Sequence, residues 1–278
     1  MRSGLLLVGL AWLALAAPAR AGAPACDALP PELRARAVEA LDRLHPYDGC
    51  DQTFTRCLAE TPPAPVVLRL AAEVCRRVQA GQDVKSIEHA LGKRARSVLG
   101  LGKKASITLD EACRAGEPGA PVVIAVYACA RCPFCAVLVP ALHRAVTVGP
   151  LQGKARLYYR PFPIKDHPFS AEGGLAMVAA ARLGQFWPEV LDIYARFAEF
   201  SPDRLAGWAA GLGLPRGEFE ALLADPATRA ALVASKQEGV RNKVKVTPTL
   251  FLDGVEYVHE LKVEAVIDVV EELFERAR

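Results

Sequence analysis

Apolar positions along this chain fall into two regimes, one purely helical and one that alternates strands with helices. Leu33, Ala37, Val38, Leu41 and Leu44 recur near a 3.6-residue period, which predicts a helix from Pro31 to Leu44. His45-Pro46-Tyr47-Asp48-Gly49 breaks it. Val67, Leu70, Ala71, Val74, Cys75 and Val78 line one face of a second helix, which Gly81 ends. Asp83 is placed to cap a third, running through Ile87, Leu91 and Val98. Gly100 to Lys104 reads as a linker, and Lys103-Lys104 within it as a solvated charge pair.

Beyond the linker the period changes. Ser106 to Leu109 suggests a short strand, and Pro121 to Tyr127 is an apolar run suited to a buried strand. Cys132 to Val148 reads as a helix in which Pro140 introduces a kink. Ala155 to Arg160 is a Tyr-rich strand. Residues 171 to about 240 are helical in pattern, punctuated by Pro188, Pro202, Pro215 and Pro226. Thr249 to Leu252 and Val255 to Val258 flank Asp253-Gly254, a strong hairpin signal. Val263, Val266, Ile267, Val270 and Phe274 share one face of a final helix. The pattern therefore divides the chain into a small all-α domain at 26–102 and an α/β domain at 105–278. A helical insertion occupies about 171–240 of the second.

The first residues read as an export signal. Arg2 is followed by an apolar stretch, Leu5 to Ala17, and by the small-x-small sequence Ala19-Arg20-Ala21, which places cleavage after Ala21. The stretch is short for a membrane span, which needs about 20 residues. Cleavage removes two arginines and no acid, so the formal charge drops from +3 to about +1. That excludes nucleic acid or an anionic membrane as the principal partner. All eight cysteines follow the cleavage point, in a compartment such as the periplasm where disulfides persist.

Two of those cysteines carry the chemistry. In Cys132-Pro133-Phe134-Cys135 a strand delivers a CxxC to a helix N-terminus. Unpaired backbone N–H groups and the positive end of the helix dipole there favour thiolate over thiol. Cys132, nearest the terminus and expected to be the more exposed, is the candidate nucleophile. Cys135, one turn deeper, is the candidate resolving thiol. The other six, Cys26, Cys50, Cys57, Cys75, Cys113 and Cys129, suffice for three more disulfides, in a connectivity the sequence leaves open. Cys129 extends the motif to Cys129-x2-Cys132-x2-Cys135. Three thiols so spaced could hold Cu(I) or zinc, which defines a rival reading as a non-catalytic metal- or client-binding protein. Otherwise Cys129 is a structural or regulatory thiol, or half of a competing disulfide. His143 and His167 receive no role from the sequence.

The ordered set of Cys-Pro-Phe-Cys, Pro140, Thr247-Pro248 and the Asp253-Gly254 turn resembles the thioredoxin superfamily. The helical insertion, Arg160-Pro161-Phe162-Pro163, His167-Pro168 and Phe186-Trp187 resemble its DsbA-like branch. The resemblance implies a thioredoxin fold over 105–278 and thiol–disulfide exchange with client proteins. It implies no organic cofactor and no resident metal. A separate redox partner, membrane-linked, would reset the cysteine pair. The resemblance further implies that Pro248 is cis and lies against the active-site disulfide, leaving the Thr247 backbone free to pair with an extended client.

One departure bears on direction. Strongly oxidising DsbA enzymes carry His where this chain has Phe134, and a His cation stabilises the neighbouring thiolate. Phe cannot, so a less oxidising site is expected. An aromatic there, with Thr before the proline, is similar to the isomerase and reductase relatives DsbC and DsbG, and direction stays open. The N-terminal region weakly resembles the three-helix thiol domain of cytochrome c maturation proteins through Cys50, Cys57, the Leu68–Val78 helix, Gly81 and Ile87. That family's cysteines are closer together, so the region is read as a disulfide-stapled helical domain that docks on the catalytic domain or binds clients.

Overall fold

A computed structural model describes residues 24–278, so the expected signal segment lies outside the described residues. The chain divides into two compact units, one ending at Glu88 and the other spanning His89–Arg278.

The first unit is helical. Helices α1 (Pro24–Asp27), α2 (Pro31–Arg43), α3 (Phe54–Cys57) and α4 (Pro65–Gln79) lead to α5 (Val84–Val98). Pro31 and Pro65 open α2 and α4 in the first turn, where a missing N–H costs no helix bond. The predicted face of α4 is its buried face, with Val67, Leu70, Ala71 and Val74 fully covered. Asp83 caps α5, its carboxylate accepting the Ser86 N–H at 2.7 Å. Disulfides Cys26–Cys75 and Cys50–Cys57 staple a core too small to be stable on apolar burial alone.

The second unit is built on a five-stranded sheet ordered β1-β3-β2-β4-β5. The strands are β1 (Arg114–Ala115), β2 (Val122–Ala128), β3 (Ala155–Pro161), β4 (Thr249–Leu252) and β5 (Val255–Glu256). β2 and β3 are parallel, joined through α6 (Pro133–Thr147), while β2–β4, β4–β5 and β1–β3 are antiparallel. Central β2 is buried along nearly its whole length, as its unbroken apolar run requires. Pro140 lies within α6, which continues to Thr147. The β4–β5 turn has Asp253 at φ 47° and Gly254 at φ 83°, the left-handed pair that the Asp-Gly dipeptide favours. The Asp253 carboxylate also accepts the Val123 N–H at 2.8 Å, pinning the hairpin to β2.

Between β3 and β4 run α7 (Ser170–Arg182), α8 (Phe186–Ala195), α9 (Leu205–Gly211), α10 (Arg216–Ala224) and α11 (Pro226–Arg241). The prolines punctuate this block largely as read: Pro215 and Pro226 stand at helix starts, and Pro188 sits in the first turn of α8. The last helix is α12 (Val263–Arg276).

One predicted element is corrected. Ser106–Leu109 is not a strand, and the edge position belongs to Arg114–Ala115. Thr108 gives its N–H (2.9 Å) and its hydroxyl (2.5 Å) to the Glu238 carboxylate, so this backbone donor goes to a side chain rather than to a ladder. The same carboxylate accepts the Tyr127 hydroxyl at 2.7 Å and Arg160 Nε at 3.0 Å. A second buried charge centre lies within the second unit, between the C-terminal part of α5 (beyond Glu88) and α12. There Arg94, 1% exposed, donates through Nε and Nη2 to Glu272 (3.0 and 2.7 Å) and through Nη1 to Asp268 (2.6 Å).

Burial pushes the Glu238 carboxyl up, but the Thr108 and Tyr127 bonds and the Arg160 charge outweigh it and hold the group below its ordinary range. A carboxylate lowered in the folded state stabilises the protein above its unfolded pKa, and that stability is lost as pH falls through the folded one. Glu238→Ala, which strands the Arg160 guanidinium in the core, is expected to cost about 3–5 kcal/mol in urea unfolding at neutral pH. The deficit should shrink as the wild type is acidified below the normal carboxylate range. A deficit independent of pH would contradict this account.

Candidate active site: a thiol pair facing Thr247

β2 ends at Ala128, and the chain turns directly into α6. The turn closes where the Cys129 carbonyl accepts the Cys132 N–H at 3.2 Å. Cys132 has extended backbone angles (φ −94°, ψ 121°) and caps α6. Pro133 takes the first helical position, to which its fixed φ is suited. Cys135 falls in the same first turn, close enough for its thiol to donate to Cys132 sulfur. Behind the turn, α7 approaches so closely that a Cβ on Gly173 would lie 2.5 Å from the Ala130 Cβ, so only glycine fits there.

Opposite the helix, Cys132 Sγ lies 3.2 Å from the Thr247 carbonyl oxygen. The Thr247–Pro248 peptide bond is cis, and Pro248 is buried. The structure thus brings the Cys132–Cys135 motif together with Thr247, 115 residues later in the sequence. Phe134 and Val246 differ from them: they are 72% and 66% exposed, and present apolar surface beside the pair.

The two thiols are unlike in charge. Cys132 is lowered to about 5: the Cys135 thiol is the largest cause, burial opposes it, and the Cys135 and Phe134 N–H groups and Thr247 assist. Cys135 is raised far above a normal thiol, first by burial and then by its hydrogen bond to Cys132 and that neighbour's charge. At neutral pH the pair therefore holds one proton, on Cys135, and one negative charge, on Cys132.

Both thiols are buried: Cys132, expected to be the more exposed of the two, is 1% exposed and Cys135 0%. The cause is tertiary, because the Thr247–Pro248 segment closes over the sulfur. The other cysteines also depart from expectation. Only two of the three further disulfides form among the described residues, and Cys113 and Cys129 remain free and buried. Cys129 Sγ sits 3.3 Å from His167 Nδ1 and 3.4 Å from the Arg131 N–H. Burial raises the Cys129 pKa, so it is a neutral thiol beside a charged one. The sequence offered no signal for the His167 contact, since 38 residues separate the pair. Among the described residues no group of three His, Cys, Asp or Glu is arranged to hold a metal ion. Arg131, next to Cys132, is turned aside: its guanidinium lies over Phe197 and Phe200 at 4.4 and 4.7 Å and donates to the Phe197 carbonyl at 2.6 Å.

A family model described as Thioredoxin matches residues 108–272, more than half the chain. The chain belongs to the thioredoxin family. Solved structures share the fold. BdbD from Bacillus subtilis matches with a TM-score of 0.53 at 13% identity, over 63% of this chain and 98% of its own. Alpha-DsbA1 from Wolbachia pipientis matches with 0.52 at 16%, over 62% and 94%. A thioredoxin-like oxidoreductase from Silicibacter pomeroyi matches with 0.51 at 17%, over 66% and 98%. These likenesses are of fold, and that fold is the DsbA type, a thioredoxin sheet with a helical insertion.

Among curated proteins, the Na(+)/H(+) antiporter NhaA 3 of Salinispora tropica is 29% identical over 195 residues, 68% of this chain but 29% of the antiporter. NhaA 1 of Salinispora arenicola is 27% identical over 67% of the chain and again 29% of the antiporter. The chain therefore spans less than a third of these relatives' length. No helix among the described residues is long and apolar enough to cross a membrane.

The split between the thiols predicts a selective titration. Alkylation of the reduced protein by iodoacetamide should occur at Cys132 alone. Its rate should stay near its plateau from neutral pH down to about pH 6 and be halved near pH 5. Peptide mapping and a pH–rate profile check this. A midpoint near 8.5, that of an ordinary thiol, would contradict the geometry.

Proposed function

We propose that this thioredoxin-family protein is an exported thiol–disulfide oxidoreductase acting on client proteins through Cys132 and Cys135. The observation that carries the reading is the charge split itself: a stabilised Cys132 thiolate against a protonated, buried Cys135. A thiolate attacks disulfides and a thiol does not, whereas an inert structural cysteine pair needs no such asymmetry. The DsbA-type fold and its oxidoreductase neighbour from Silicibacter pomeroyi support the same reading.

In reduction or isomerisation, the Cys132 thiolate attacks one sulfur of a client disulfide. A Cys132–client bond forms, and the client's other sulfur leaves as thiolate. In isomerisation another client thiolate attacks the mixed disulfide and frees Cys132 as thiolate. In reduction Cys135 passes its proton to the departed client thiolate and attacks Cys132 sulfur, which expels the second client thiolate and closes the Cys132–Cys135 disulfide. Proximity makes that second step intramolecular. Oxidation is the reverse: a client thiolate attacks the Cys132–Cys135 disulfide at Cys132. In either direction Thr247 and Pro248 provide the backbone edge beside the reacting sulfur, and Pro133 and Phe134 shape its apolar rim.

The protein is exported by its N-terminal segment, with cleavage after Ala21. Residues 26–102 form the stapled helical domain and 105–278 the catalytic one. A membrane-linked redox partner resets the pair. The chemistry needs neither nucleic acid nor organic cofactor.

Two measurements test the proposal. Cys132→Ala should abolish disulfide reduction and refolding of a scrambled substrate, and retained activity would sink the assignment. The Cys132–Cys135 reduction potential should be more negative than that of DsbA, at about −120 mV, because Phe134 adds no cation beside the thiolate. A value as oxidising as DsbA's would refute the Phe134 argument while leaving the oxidoreductase reading standing.

A further inference from the structure

A polar chain crosses the dry interior of the second unit and ends on the active-site turn. The Tyr194 hydroxyl, on α8 of the helical insertion, donates to the Cys129 carbonyl at 3.1 Å. It also lies 2.8 Å from the Tyr159 hydroxyl, on β3. Tyr194 has one hydroxyl proton, and the Cys129 carbonyl can only accept, so that proton goes to Cys129. Tyr159 must then be the donor to Tyr194 oxygen. The Cys129 carbonyl is the same group that accepts the Cys132 N–H at 3.2 Å. One run of hydrogen bonds therefore points from Tyr159 through Tyr194 to the carbonyl that closes the turn before the thiolate. All of it is buried, with Tyr159 0%, Tyr194 4% and Cys129 1% exposed. In so buried a setting successive donations strengthen one another.

We propose that Tyr194 is a positioning residue for thiol exchange, holding the Cys129–Cys132 turn so that Cys132 sulfur meets its stabilising groups, with Tyr159 acting through it. This rests on the oxidoreductase reading given above. Tyr194 touches neither reacting sulfur. It fixes the Cys129 carbonyl, which fixes Cys132 at the cap of α6, within reach of the Cys135 thiol and of the Cys135 and Phe134 N–H groups. It also gives the insertion a role at the site, since α8 supplies the hydroxyl. Aromatic contacts hold the donor side in place: Tyr159 packs edge-on against Phe186 at 5.5 Å and Trp187 at 6.2 Å.

Three variants of the full chain separate positioning from mere packing. In Tyr194→Phe the ring stays, the Cys129 carbonyl loses a donor, and the Tyr159 hydroxyl is left buried with no acceptor. This variant should be less stable to urea than wild type. The equilibrium constant for reducing the Cys132–Cys135 disulfide with glutathione should fall roughly three- to tenfold, because the thiolate is less well supported. The Cys132 alkylation midpoint should move up in parallel. Tyr159→Phe should shift both readouts in the same direction but less, since Tyr194 still donates to Cys129. The double variant removes the orphaned hydroxyl, so it should regain stability over Tyr194→Phe while keeping that variant's glutathione constant and alkylation midpoint.

If Tyr194→Phe leaves both the constant and the midpoint at wild-type values, the proposal is wrong. It is also wrong if both return to wild type in the double variant along with stability, because the effect would then be packing alone. The alkylation midpoint reads Cys132 directly. A wild type that proves inert toward protein disulfides would therefore defeat the oxidoreductase reading and still leave this test readable.

Discussion

One carboxylate holds the second unit in register. Glu238, on α11, accepts four hydrogen bonds: two from Thr108, one from Tyr127 on β2 and one from Arg160 on β3. Asn242, one turn later, donates to the Tyr127 hydroxyl at 3.0 Å and to the Ser106 carbonyl at 2.8 Å. A buried charge of this kind is costly to strand and stable only when fully partnered. It therefore accepts one placement of α11 on the sheet. Apolar burial alone would fix it poorly, since the buried face of α11 is Thr228, Leu232, Ser235, Glu238 and Gly239, with a single large apolar side chain. With α11 placed, the rest of the insertion stands over β3, and α8 can reach the carbonyl of Cys129.

The site follows from geometry more than from unusual residues. Cys132 and Cys135 are chemically identical, yet one is an acid well below the ordinary thiol range and the other well above it. The helix N-terminus supplies N–H groups to the first sulfur and not to the second. Burial acts on both, but only Cys132 has partners that outweigh it. The two shifts are coupled, because the proton on Cys135 is what Cys132 leans on. Closure by Thr247–Pro248 keeps water from the sulfur, while Phe134 and Val246 remain on the surface.

Much of this was legible in the chain. The apolar run of β2 and the CxxC after it, the Asp253-Gly254 turn and the face of α4 are local signals, and each formed where read, whereas on α12 only Val266 and Val270 of the predicted face are buried and Val269 joins them. Ser106–Leu109 failed because its alternation is genuine but its backbone donor belongs to Glu238, 130 residues away. The near-complete burial of Cys132 had no local signal, because the Thr247 segment beside its sulfur lies 115 residues later. The cysteine pairing came out as two bonds rather than three. Cys113 and Cys129 are locked into buried positions of the second unit, and Cys129 has His167 as its neighbour.

By itself the sequence determined which residues could do chemistry and which segments would be helix or strand, because those depend on side-chain type and on periods of 2 and 3.6 residues. The thioredoxin family and the insertion followed from the order of those signals. Tertiary structure alone decided the charge on each thiol, the cover over Cys132, the fate of Cys129 and the Tyr159–Tyr194 chain beneath the turn. Each of these rests on contacts of a few ångströms between residues far apart in the chain, and no local pattern encodes such a distance.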